Sequence, residues 1–105
     1  MDEAVSDLGG VQIALDAYRT SLKGHPAPVL DGYTGDQRFF LGRAQMWRAK
    51  FNEAFIRNQV ATGSNAPPYM RINGPLPNID AWYEAFSVEP QDKMYLAPQN
   101  RTKIW

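Results

Sequence analysis

The sequence predicts a mainly α-helical chain, and three observations carry that prediction. The eight prolines fall at 26, 28, 67, 68, 75, 77, 90 and 98, which leaves two long proline-free stretches, 1–25 and 29–66. Within both stretches apolar residues recur in steps of three and four, the period of one helix face. The second stretch also opens on Thr34-Gly35-Asp36-Gln37, which fits the S/T-x-x-E/Q capping box. There the hydroxyl and the amide side chain satisfy orphan backbone amides reciprocally.

Each element follows from these signals. Val5, Leu8, Val11, Leu15, Tyr18 and Leu22 predict a helix over 3–22, ended by Gly24-His25-Pro26. Gly9-Gly10 interrupts it at a cost of about 1 kcal/mol per glycine relative to alanine. Such a pair signals close approach of another backbone or a ligand. Phe40, Ala44, Trp47, Phe51, Ala54 and Phe55 predict a second helix over 35–60. Arg38, Arg43, Arg48, Lys50 and Arg57 fall mostly off its stripe, and with Asp36 and Glu53 they read as a solvated mixed-charge surface. Between Ala61 and Pro77 the dense prolines exclude a helix and favour an extended loop with a short strand over 69–72. A third helix over 78–86 takes Asn78 as N-cap and presents Ile79, Trp82, Tyr83 and Phe86 on one face. The tail from 87 to 105 is loop-rich.

Composition bounds the function. With 105 residues the chain is one domain at most, and a globule of this mass exposes about 6,000 Å². Eleven basic and eleven acidic side chains cancel to zero net charge. That excludes the broad positive footprint of a nucleic-acid binder. No apolar run approaches a membrane span, and Met1-Asp2-Glu3 opens no visible signal peptide. The absence of cysteine excludes disulfides, thiol catalysis and Cys-ligated zinc. A helix starting this close to Met1 is also what a segment cut from a longer protein looks like.

Few residues stand out chemically. Glu3 and Asp7, at i and i+4, share one helix face. Two readings stay open for them: a carboxylate pair that binds a metal or orients a ligand, and acids favoured by the helix dipole. His25, the sole histidine, reads as an exposed loop residue, because a lone imidazole builds no metal site. Arg71 is the only charged residue between Arg57 and Asp80. Its five donors need a carboxylate or carbonyl, either in a structural ion pair or at a binding site.

Several ordered motifs resemble the neprilysin family of zinc metallopeptidases, peptidase family M13. Glu3-Ala4-Val5-Ser6-Asp7-Leu8-Gly9-Gly10 is similar to the family's E-N-x-A-D-x-G-G motif. Thr34-Gly35-Asp36-Gln37-Arg38-Phe39-Phe40-Leu41, with Ala44-Gln45 and Trp47, resembles its helix signature. Arg71-Ile72-Asn73-Gly74-Pro75-Leu76-Pro77-Asn78 followed by Glu84-Ala85-Phe86 resembles its R-V-N-G-P-L-x-N…E-A-F stretch, and Met94-Tyr95 and Ile104-Trp105 fit its end. The match covers nearly the whole chain, so residues 1–105 resemble the C-terminal part of a zincin-type catalytic domain.

The resemblance implies a mechanism residue by residue. Glu3 matches the third zinc ligand, beside two histidines of an H-E-x-x-H helix. Asp7 matches the aspartate that orients a zinc-bound histidine. A metal held this way acidifies a water that attacks a peptide carbonyl. Arg71 matches the arginine that grips a substrate carbonyl, a task suited to its planar fork. Six residues before Arg71 stands Asn65, where the family usually has a histidine that stabilises the oxyanion. Asparagine donates a hydrogen bond there but carries no positive charge. Ala4 also departs from the motif's asparagine, and the H-E-x-x-H helix lies outside the chain. One Zn²⁺ is therefore expected per complete domain and none on this chain alone, which is expected to be inactive.

The expected partners are a peptide substrate, the missing N-terminal part of the same protein, and a second copy docked on exposed helix faces. No nucleic acid is expected. The lack of cysteine is more like bacterial members, and the family implies a periplasmic or secreted parent. The alternative is a non-catalytic helical binding or structural module derived from the peptidase.

Overall fold

A computed structural model of the chain describes residues 2–63 and 66–104, with side chains from Val5 onward within the first helix. Five α-helices follow in order: α1 (Asp2–Ser21), α2 (Gly35–Met46), α3 (Glu53–Thr62), α4 (Pro68–Asn73) and α5 (Asp80–Phe86). Two 3₁₀ turns lie at Leu76–Asn78 and Pro98–Asn100. Among the described residues the only β pairing is an isolated bridge between Leu30 and Tyr33.

The core is built where the apolar stripes meet. Leu8, Val11 and Leu15 of α1 pack with Phe40 of α2, Leu76, Ile79 and the α5 residues Trp82 and Tyr83. Burial of such side chains stabilises by about 1.5–3 kcal/mol each. At the head of α2, the Thr34 hydroxyl accepts from the Gln37 amide at 3.1 Å, and Thr34 N–H donates back to Gln37 Oε1 at 2.9 Å. The expected capping box is therefore present. Gly35 follows it because a Cβ there would collide with the Tyr18 hydroxyl and Ala27. Arg19 then ties α1 to α2 through Asp36 at 2.6 Å.

Three expectations change. The helix expected over 35–60 is two helices. It stops at Met46 and restarts at Glu53, where the Asn52 side chain accepts from Phe55 N–H at 2.7 Å as a new N-cap. The strand expected over 69–72 is α4, a six-residue helix. Pro67 and Pro68 stand at its N-cap and first position, where a helix needs no backbone N–H. Asn78 does not cap α5 through its side chain. That side chain donates to Gly74 O at 3.0 Å and accepts from Thr102 N–H at 2.8 Å, so it fastens the tail. At Gly10, a Cβ would meet no described protein atom within 4 Å.

Candidate functional site

The site forms where two helices, α2 and α4, deliver cations to one buried carboxylate on α1. Asp7 stands four residues before Val11 on α1 and so shares its buried face; it is only 8% exposed. Arg71, from α4, grips it with two parallel bonds: Nε to Oδ2 at 2.7 Å and Nη2 to Oδ1 at 2.9 Å. Arg43, from α2, adds Nη2 to Oδ1 at 3.0 Å. Trp47, one turn beyond Arg43, lays its ring under both cations, with Arg71 at 4.2 Å and Arg43 at 5.6 Å from its centroid.

The electrostatics follow from that geometry. The hydrogen bonds from Arg71 hold the Asp7 carboxyl below the usual aspartate range. Burial opposes this, and the charges of Arg71 and Arg43 add to the lowering. Forked guanidinium–carboxylate pairs are the stronger, shorter class of ionic hydrogen bond. Among the described residues, two positive groups meet one negative group. Two buried donors, Arg43 Nε and Trp47 Nε1, have no hydrogen-bond partner among the described residues.

Asp7 and Arg71, 64 positions apart, are thus brought together. The carboxylate that an isolated Arg71 requires is Asp7. The Glu3 backbone lies in α1 one turn ahead of Asp7, and its side chain is outside the described residues, as is Asn65 altogether. His25 is exposed in the loop after α1, as expected. Among the described residues no three His, Cys, Asp or Glu side chains gather into a metal-holding group. The described donors do not by themselves make a zinc site.

Arg43 is the site residue that its sequence setting hides, and Trp47, expected on the apolar stripe, joins it there. In the sequence Arg43 reads as part of a solvated surface, yet its side chain is 19% exposed and bound to Asp7. A signal was available: Arg43 is three residues after Phe40 and four before Trp47, which sets it on the stripe itself. Beside it runs a groove lined by Gly10, Val11, Ala14, Phe39, Arg43 and Met46. No helix among the described residues is long and apolar enough to cross a membrane.

Comparison with known proteins agrees with the architecture. Residues 1–102 match the family model of peptidase family M13. Neutral endopeptidase of Lactococcus lactis subsp. lactis (strain IL1403) is 34% identical over 106 residues, covering 100% of this chain and 15% of that protein. Endothelin-converting enzyme-like 1 of Homo sapiens is 32% identical over 109 residues, again covering 100% of this chain but 14% of that protein. The cryo-EM structure of Mycobacterium tuberculosis zinc metalloprotease Zmp1 in its open state superposes with a TM-score of 0.93 at 49% identity, covering 97% of this chain and 16% of that one. The crystal structure of Zmp1 with an inhibitor gives 0.92 at the same identity. The chain therefore spans about 15% of the length of the relatives it matches. On sequence and on fold, the chain belongs to peptidase family M13, whose C-terminal region it matches.

Proposed function

We propose that this segment works as the C-terminal part of a zinc-dependent metalloendopeptidase that hydrolyses peptide bonds in short peptides, and that it is inactive alone. The observation that carries this reading is the forked Arg71–Asp7 pair on α4 and α1. It fixes two of the motif residues against each other inside a fold that Zmp1 shares at 49% identity. Family membership supports the peptidase chemistry.

Roles follow for the chain's own groups. Glu3, one helical turn before Asp7, supplies one carboxylate ligand to zinc, and the other ligands come from outside this chain. When bound, the metal supplies an acidified water as nucleophile. Asp7 orients a ligating imidazole; its Oδ2 accepts a single bond among the described residues, so a lone pair remains for an imidazole N–H. Arg71 presents its guanidinium to a substrate backbone carbonyl. Asn65 donates a neutral hydrogen bond toward the oxyanion, a weaker stabiliser than a charged donor.

The deciding experiment is complementation. The upstream part of the protein is co-expressed with this segment and zinc-dependent cleavage of a short peptide is assayed, then repeated with Glu3→Ala. Loss of cleavage and of stoichiometric zinc in the variant is the expected result. A Glu3→Ala assembly that cleaves like the parent removes Glu3 from the metal. If the two parts together cleave nothing while zinc is bound, the non-catalytic module becomes the better reading. Alone, the segment is expected to pair with a second copy through its exposed apolar faces, and sedimentation as a clean monomer at micromolar concentration would count against that.

A further inference from the structure

We propose that Arg43 is a positioning residue that acts through Asp7: its one bond to Oδ1 leaves the open acceptor position of that carboxylate on Oδ2, and so aims Asp7 at the imidazole it orients. The inference rests on the imidazole-orienting reading of Asp7 given above. It goes beyond that reading by assigning a role to Arg43, a residue outside the motifs that suggest it.

The first argument counts acceptor positions. An ionised carboxylate offers about four of them, shared between its two oxygens. Arg71 takes one on each oxygen, Nε on Oδ2 at 2.7 Å and Nη2 on Oδ1 at 2.9 Å. With that fork alone, each oxygen would keep an open position, and an incoming N–H could bind either. Arg43 Nη2 takes the second position on Oδ1, at 3.0 Å. Among the described residues, the position that stays open is therefore on Oδ2, which accepts one bond while Oδ1 accepts two.

The second argument is the shape of the contact. Guanidinium–carboxylate pairs frequently fork, as Arg71 does on Asp7. Arg43 does not: it gives Oδ1 a single bond, and its Nε is buried with no hydrogen-bond partner among the described residues. A second fork on Asp7 would have closed Oδ2. The one-pronged contact satisfies Arg43 less fully and keeps Asp7 able to accept from a further donor.

The third argument is that Arg43 acts on aim more than on charge. Arg43 comes from α2 and Arg71 from α4, so the carboxylate on α1 cannot turn without breaking bonds to separate helices. Trp47 backs both guanidinium groups, at 5.6 and 4.2 Å from its ring centroid, which favours keeping both cations where they are. The hydrogen bonds and charge of Arg71 lead the causes that hold the Asp7 carboxyl below the usual aspartate range. Those of Arg43 come last, with burial opposing both. Removing Arg43 thus alters the direction of the free acceptor more than its strength.

The test uses the full-length protein with Arg43→Met, which keeps an unbranched apolar stem and removes the donors, and Arg43→Lys, which returns a cationic donor. Zinc affinity is read by competition with a chelator, and the zinc-free proteins are melted alongside to separate fold from aim. Arg43→Met is expected to bind zinc about tenfold more weakly, the low end of the loss when a partner behind a metal ligand is removed. Arg43→Lys is expected to recover most of that affinity. In an Asp7→Ala background, Arg43→Met is expected to change zinc affinity by less than about twofold, because its effect passes through the carboxylate. An unchanged zinc affinity in Arg43→Met overturns the proposal. So does an undiminished loss in the Asp7→Ala background, or loss of folding in both Arg43 variants, since each assigns Arg43 to the fold alone. Should Asp7→Ala not fold, the affinities of Arg43→Met and Arg43→Lys decide by themselves. If Asp7→Ala folds and binds zinc like the parent, the reading of Asp7 fails first, and that failure is seen without reference to Arg43.

Discussion

Two regions of this chain, α5 with the tail and α3, are finished to very different degrees. Around α5 almost every polar group has a partner. Tyr83 donates its hydroxyl to Pro77 O at 2.7 Å and accepts from Leu96 N–H at 2.9 Å. Arg101 lies over the Tyr83 ring at 3.7 Å and donates to Leu96 O at 2.8 Å, while Asp80 receives both Arg101 and Lys103. Asn78 holds Thr102. The loop-rich tail is thus fastened residue by residue. In α3, by contrast, no residue is buried. Phe51 and Phe55 stack on each other at 4.9 Å while 43% and 49% exposed, and Val60 is 59% exposed. Among the described residues the one ion pair of α3, Arg57 with Glu53, joins neighbours within the same helix.

The contrast teaches where the boundary of this piece runs. The chain exposes 7353 Å², against about 6,000 Å² for a self-contained globule of its mass. Its radius of gyration is 15.2 Å, where about 13 Å is usual for this length. The surplus area and the bare Phe51 and Phe55 at the start of α3 are what a helix looks like when its packing partner lies elsewhere. The relatives, nearly seven times longer than the stretch they share with this chain, have ample chain to supply one.

The sharpest way to break the comparison is a pair of side-chain truncations, one in each region. Trp82, 7% exposed in the core, should lose about 3–5 kcal/mol on substitution by Ala. Phe55→Ala should stay within about 0.5 kcal/mol, the range of ordinary surface changes. Urea unfolding of the isolated segment, at a concentration where it is monomeric, measures both. A Phe55→Ala cost approaching that of Trp82→Ala would mean that α3 is packed in solution, and the boundary argument would fall. In the complemented assembly the order is expected to change, with Phe55→Ala weakening association of the two parts.

The same division separates what the sequence showed from what it hid. The core stripe of α1, the capping box at Thr34 and the apolar face of α5 were legible because each is local: period, cap and burial coincide within a few residues. The break between α2 and α3 was not. Trp47, Phe51 and Phe55 continue the helical spacing across a gap that Asn52 caps, and periodicity carries no information about a backbone that leaves and re-enters helix in phase. Prolines at 67 and 68 read as breakers because their position relative to the helix start was unknown, and at a helix start they are harmless. In the site, Arg71 announced its need for an anion, but its partner stood 64 residues away and only the fold could name it. Arg43 was hidden by company, one arginine among several solvated ones.

A smaller effect sharpens the well-fastened end. Bonds from Lys103, opposed by partial burial and aided by Arg101, hold Asp80 below the ordinary aspartate value of 3.8. A carboxyl whose folded pKa is depressed contributes stability above its unfolded pKa and loses it as pH falls through the folded value. Asp80 is 61% exposed, so solvent screens the pair, and the contribution is on the order of 0.2–1 kcal/mol. Asp80→Asn should therefore be slightly less stable than the parent at pH 7, and the gap should close as pH falls below the ordinary aspartate value. Raising salt to about 1 M at pH 7 should close it too, since the screening length then shrinks to roughly 3 Å. Thermal melts across that pH range read the difference directly. A gap that persists in strong acid would show that Asp80 acts through packing or as the first residue of α5 rather than through its two cations, and the tail would then owe its attachment to Asn78 and Tyr83.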